Sequence, residues 1–165
     1  MSFGPTGERR RHQVLKRLPV ALWLWKTLPL AAFAGLRVVR LDEDGCSVRL
    51  PGGWRTQNPF RSTYFAAQAM AAEMSTGAPA LVLTADVPAS VAMLVVRLSA
   101  TYAKKIVGES VFAFDDLAGM RTTVERAAAS DEPQVFAARS VGRDAAGDVA
   151  AEFEITWSFK RRSAG

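Results

Sequence analysis

The plainest pattern in the chain is near its end. From Val149 to Lys160, the residues Val149, Ala151, Phe153, Ile155, Trp157 and Phe159 alternate with Ala150, Glu152, Glu154, Thr156, Ser158 and Lys160. An unbroken period of two predicts a strand with one apolar and one mostly polar face, so its sheet buries one side and leaves the other largely wet. Shorter runs supply companions. Val38, Val39 and Leu41 lead into an acidic turn from Asp42 to Gly45, and Val48 and Leu50 lead out, a hairpin over Leu36 to Leu50. The β-branched and aliphatic run from Val91 to Tyr102 reads as a buried strand, Ser110 to Phe114 as its neighbour, and Gln134 to Val141 as a further strand. Gly147, in the turn from Arg143 to Asp148, is placed to supply positive φ. Pro79 to Ala92 is ambiguous, because Leu81, Val82 and Leu83 extend a helix or begin a strand equally well.

Helical patterns occupy the remainder. Leu117 to Ala129 has helix composition. Val14 to Leu28 reads as an amphipathic helix whose Leu and Trp side chains pack on the domain. The alternative is an interfacial helix, since Trp23 and Trp25 are flanked by basic residues. The surrounding apolar run, Leu18 to Leu36, is near the lower limit of a membrane span, but Pro19, Lys26 and Pro29 interrupt it and no secretory cleavage site is evident. The longest helical stretch lies between Asn58 and Gly77. Asn58 precedes Pro59 and so disfavours helix at that point; Ser62 is placed to cap the helix, and Gly77 with Pro79 to stop it. Between these ends the run is rich in alanine and carries one carboxylate, Glu73. At roughly 100° per residue, Ser62, Ala66, Ala69, Glu73 and Thr76 fall on one narrow face. So apolar a helix calls for a sheet that wraps it. A leading helix, a hairpin, a long central helix and about four more strands give an α+β arrangement with a mostly antiparallel sheet. Its edges invite pairing in a dimer.

Composition narrows the chemistry. The 165 residues, 49% hydrophobic and 22% charged, fit one globular domain. We divide them into a flexible basic arm (1–13) and a single domain (14–165) on which an N-terminal helix (14–35) packs. The single cysteine, Cys46, excludes a disulfide framework and a cysteine zinc cluster; beside Gly45 it reads as a small hairpin residue, and it fits a cytoplasmic location. His12, the only histidine, lies in the basic arm, which argues against a histidine base or a metal site. The net charge of +5 gathers at the two ends, Arg9 to Arg17 and Lys160 to Arg162. Such ends solubilise, or they meet an anionic partner such as coenzyme phosphates or a membrane surface. No nucleic-acid partner is expected, because no aromatic residues interleave with the basic clusters.

Asn58 at the loop before the helix, Glu73 within it, Thr101-Tyr102-Ala103-Lys104-Lys105, and the closing Thr156-Trp157-Ser158-Phe159-Lys160 together carry a resemblance. Over roughly residues 14–160 the chain resembles hot-dog-fold proteins of the PaaI-like acyl-CoA thioesterase type, and within that superfamily a functionally uncharacterised branch. The resemblance implies an antiparallel sheet wrapped around the long central helix, here with an extra N-terminal helix. It implies a homodimer, or dimers paired into a tetramer. The implied substrate is an acyl-CoA or acyl-carrier thioester, with coenzyme A entering as part of the substrate and no separate cofactor. Glu73 would be the base or nucleophile, reaching across a dimer interface, and Asn58 would orient water or carbonyl. A backbone N–H near Phe65 or Ala66, at the positive end of the helix dipole, would meet the oxyanion. Tyr64, Phe65 and Ala66 stand where catalytic members carry His-Gly-Gly, so they become substrate-binding candidates, with Phe65 filling that space or lining an acyl pocket. A partly buried Glu73 would have a raised pKa. Plainer roles stay open: Glu73 bonded to a hydroxyl or an arginine, Asn58 as a turn residue, Tyr64 in the core, and Lys104 with Lys105 as a solvated strand end rather than phosphate contacts. The alternative function is a non-catalytic hot-dog module that holds an acyl or lipid-like ligand.

Overall fold

The alternating stretch near the C-terminus forms β6 (Val149–Arg161), and the rest of the sheet is built around it. The computed structural model describes residues 3–163; Met1, Ser2, Ala164 and Gly165 of the expected arm and domain lie outside the described residues, as do the side chains of residues 17–21. Three helices lead: α1 (Pro5–Leu15), α2 (Arg17–Thr27) and α3 (Pro29–Ala34). The hairpin β1 (Arg37–Leu41) and β2 (Cys46–Leu50) comes next, then the long helix α4 (Phe65–Asp86). After it come β3 (Val91–Tyr102), β4 (Ser110–Phe114), α5 (Leu117–Ala129) and β5 (Gln134–Asp144). The six strands pair antiparallel in the order β1-β2-β4-β5-β6-β3. The apolar side of β6 is buried at Phe153, Ile155, Trp157 and Phe159, together with Val48, Leu50, Phe112 and Phe114. Small α4 side chains, among them Ala71, Ala72, Ala78 and Ala80, are buried in the same core. Gly147 turns β5 into β6 with φ 88°, as its place in the turn predicts.

Four expectations change. First, α4 does not stop at Gly77 or Pro79; it runs 22 residues to Asp86. An internal proline costs about 3 kcal/mol or more. Burial of Val82 and Leu83 on the following turn contributes roughly 1.5–3 kcal/mol each and outweighs that cost. Second, Ser62 is not the cap. The N-cap is Tyr64 without a side-chain bond, while the Ser62 hydroxyl donates to Asn58 Oδ1 (3.2 Å).

Third, β4 is not the neighbour of β3. It pairs with β2 and β5, whereas β3 pairs along its length with β6, from Val91 opposite Arg161 to Tyr102 opposite Ala151, and stands at the sheet edge. Nor is β3 buried: Leu94, Val96, Leu98 and Tyr102 are all exposed. A strand apolar on both faces reads as buried, but one chain supplies a neighbour on one side only. Fourth, residues 5–13, expected within a flexible arm, are helical and belong to α1 (Pro5–Leu15). Asp86, at the far end of α4, accepts from the Gly4 N–H (2.6 Å) and the Gly7 N–H (2.9 Å), so the first turn of α1 is capped by a residue remote in sequence. The helix expected from Val14 to Leu28 is accordingly divided at Lys16, which is extended (φ −78°, ψ 122°). Its packing is seen at Leu24, which is buried, while Trp25 on the other side is exposed.

Candidate functional site

Among the described residues, Glu73 is the only ionisable side chain on a cavity of about 480 Å³ between the N-terminal helices, α4 and the β3–β6 pair. The walls are Trp23 and Leu24 of α2, Met74 and Leu81 of α4, Met93 and Val95 of β3, and Trp157 of β6. Helical spacing places Gly77 one turn beyond Glu73 on the same face. A Cβ at Gly77 would lie 2.9 Å from Glu73 Oε1 and 3.3 Å from the Trp157 ring, so glycine is what lets carboxylate and indole approach. Thr76 completes the arrangement: its hydroxyl donates to the Glu73 carbonyl (2.9 Å) and accepts from Trp157 Nε1 (2.9 Å), fixing the indole against the helix. The carboxylate itself meets no hydrogen-bond donor or cation among the described residues. Burial alone pushes the Glu73 carboxyl above the usual carboxylate range.

The other candidates lie apart from this cavity. Asn58 holds its own loop closed, its side-chain oxygen accepting from the Phe60 N–H (3.0 Å), the Ser62 N–H (3.2 Å) and the Ser62 hydroxyl. Tyr64 and Phe65 are exposed and meet edge to face, with centroids 4.8 Å apart; Ala66 is half-buried. None of these four lines the cavity. Phe65 opens α4 and lies eight positions before Glu73, roughly 12 Å along the axis. One chain therefore brings Glu73 to an apolar cavity and leaves Asn58, Tyr64, Phe65 and Ala66 elsewhere. Lys104 is held by Asp144 (2.6 Å) and Asp148 (2.7 Å). Cys46 is buried, and burial pushes its thiol well above its ordinary value, which leaves no thiolate for chemistry at neutral pH.

The fold has counterparts among solved structures. A protein of unknown function from Chlorobaculum tepidum superposes with a TM-score of 0.75 at 13% identity, over 90% of this chain and 99% of that one. A protein from Pseudomonas aeruginosa, described as a probable thioesterase, gives 0.72 at 19% identity over 91% and 99%. A thioesterase from Haemophilus influenzae gives 0.64 at 13% identity over 89% and 94%. No curated protein matches the chain in sequence. A family described as a domain of unknown function, DUF4442, matches residues 20–159. The chain belongs to that family. This DUF4442 protein has the hot-dog fold, with its antiparallel sheet around a long helix.

Within this family member, several site residues escaped the sequence reading. Trp23, Leu24, Met93 and Val95 come from elements whose mutual contact no local pattern announces. Two signals were present. Trp157 occupies an inward position of the β6 alternation, and Gly77 stands one turn from Glu73, the one acid between Asn58 and Gly77. Chemically, the arrangement presents one carboxylate without a partner among the described residues, its pKa raised by burial, at the wall of a largely apolar space.

Proposed function

We propose that the protein hydrolyses an acyl-CoA or acyl-carrier thioester, with Glu73 as general base, in a homodimer. The observation that carries this reading is the lone Glu73 carboxylate on an apolar cavity. A buried acid without a structural partner costs stability, and such groups cluster at working sites. In the proposed step the Glu73 carboxylate takes a proton from water as the water oxygen bonds to the thioester carbonyl carbon. The resulting oxyanion collapses, the C–S bond breaks, and the sulfur departs with the proton from Glu73. A raised pKa suits a base at near-neutral pH. The acyl group lies in the cavity, against Met74, Met93 and Trp157.

The oxyanion donor comes, in this reading, from a second copy. The outer edge of β3 is 12 residues, roughly 40 Å, of unpaired strand. Its exposed Leu94, Val96 and Leu98 suit burial against an identical edge. The partner's α4 then presents its uncapped first turn, with the N–H groups near Phe65 and Ala66 and the loop of Asn58, to the Glu73 of the first chain. The test is release of free coenzyme A from short, long and aromatic acyl-CoAs, wild type beside Glu73→Gln. Hydrolysis present in the first and lost in the second supports the reading; equal rates in both sink the role of Glu73.

A second reading rests on Tyr64-Phe65-Ala66. A bulky Phe65 in place of glycine hinders close approach of substrate to backbone. The protein would then bind an acyl or lipid-like ligand without cleaving it. Saturable binding of a fatty acyl probe, with no coenzyme A released from any thioester, is the result that favours it.

A further inference from the structure

Helix α2 is apolar on both sides. Its inner face carries Leu24, buried, and Trp23, which lines the Glu73 cavity. At 100° per residue Leu22, Trp25 and Lys26 share the opposite face. Leu22 is 74% exposed and Trp25 56%. α3, packed beside α2, adds Leu30 (66% exposed) and Phe33. Trp54, 72% exposed, extends the surface from the next loop through an edge contact with Phe33, centroids 5.7 Å apart. A helix apolar all round is normally covered on every side, and a contiguous exposed patch of this kind marks an interaction surface.

Charge decides what covers it. No Asp or Glu occurs from residue 9 to residue 41, or from residue 46 to residue 72. The charges that the patch's own elements carry are therefore cations: Lys26 on the helix, and Arg55, whose guanidinium lies beside Gly35 at the end of α3. Neither meets a carboxylate among the described residues, whereas Arg40, Arg49, Arg139 and Arg161 elsewhere on the surface are all paired with acids. A twofold contact of this patch with its own copy would set cation on cation, since such an interface is self-complementary. Exposed Trp and Leu beside unpaired Lys and Arg match an anionic bilayer surface instead, with aromatic rings at headgroup level and cations on the lipid phosphates. At 11 residues, roughly 16 Å, α2 is too short to span a bilayer. No helix among the described residues is long and apolar enough to cross one.

We propose that the outer face of α2 and α3, with Trp54 and Arg55, docks the protein in the plane of an anionic lipid bilayer. Docking places the cavity under α2 about one helix diameter, roughly 10 Å, from the lipid. It does so whether the occupant of the cavity is hydrolysed or only held.

The test is co-sedimentation of the full chain with vesicles of phosphatidylcholine alone and of phosphatidylcholine mixed with phosphatidylglycerol. Binding is expected to the mixed vesicles and to fall as salt is raised. Leu22→Ser combined with Trp25→Ser should weaken it by about tenfold or more, through lost apolar burial. Lys26→Gln and Arg55→Gln should each weaken it by roughly fivefold. All these side chains are exposed, so the variants should keep the wild-type melting temperature. Failure of the full chain to sediment with the mixed vesicles overturns the proposal. So does binding that survives both sets of substitutions. A change in oligomeric state in the Leu22/Trp25 variant, with no lipid binding by the wild type, assigns the face to a second copy and overturns it equally.

Discussion

Glu73 and Asp86 are carboxylates on the same helix, each largely shielded from water, and they have opposite surroundings. Asp86 is fully engaged: it accepts from Gly4 and Gly7 at the start of α1 and lies 4.0 Å from the Arg121 guanidinium, which itself sits over the Phe3 ring. Glu73 faces methionines, leucines and an indole, and its carboxylate has no partner among the described residues. Buried polar groups are nearly always satisfied, so the accounting separates the two. Asp86 holds α1 to the end of α4. Glu73 engages no donor or cation among the described residues, which leaves its carboxylate open to a group from outside.

That contrast can be broken or sharpened by substitution. The largest effect is expected at Glu73. Replacement by Gln keeps the shape and removes the base, and thioester hydrolysis should fall by roughly a thousandfold, measured as steady-state coenzyme A release. Next is Leu98→Lys on the edge strand, opposite Ile155. If Glu73 depends on a partner chain for its oxyanion donor, this charge should yield a folded monomer by sedimentation and a loss of about a hundredfold in rate. A monomer with full activity would place every catalytic group within one chain.

Asp86→Ala should leave the rate within about twofold, because the residue does not line the cavity, yet destabilise the fold by about 1–3 kcal/mol in urea, since two N–H groups lose their acceptor and Arg121 loses its ion-pair partner. The smallest test concerns the sign of a pH effect. The folded-state pKa of Glu73 is raised above its ordinary 4.5 by burial. Between those two values the native chain binds more protons than the unfolded chain, so this residue's stability contribution is present below about pH 4.5 and lost as pH rises through the folded value. Glu73→Gln should therefore match the wild type in stability at pH 4 and exceed it at pH 8. The opposite sign would mean that the carboxylate has found a favourable partner.

The same contrast shows why the two acids were unequally legible in the chain. Glu73 stood out because it is the one acid in the alanine-rich run from Asn58 to Gly77, a property of its neighbours in sequence. Asp86 could not, because its partners Gly4 and Gly7 are about eighty positions away. α1 was missed for the same reason: with a basic, proline-led sequence it has little intrinsic stability and is held by remote contacts. The spans of β3 and β6 followed from composition and alternation, but not the pairing of one with the other, nor the exposure of β3. Pro79 misled because a local penalty was read without the burial that offsets it. Asn58 was recognised as a turn residue and as a site candidate; the hydrogen bonds within its loop account for the first role.

What the amino-acid sequence determined by itself was local: the alternation that makes β6 a strand, the glycine that turns β5 into it, the alanine-rich run of α4 and its solitary acid. These follow from torsional preference and periodicity over a few residues. Strand order, the capping of α1 by Asp86, the cavity under α2, and above all the want of a partner at Glu73 were decided only by the tertiary structure. Whether a buried charge is satisfied depends on every group that folding brings within about 3 Å of it, and distance along the chain does not measure that.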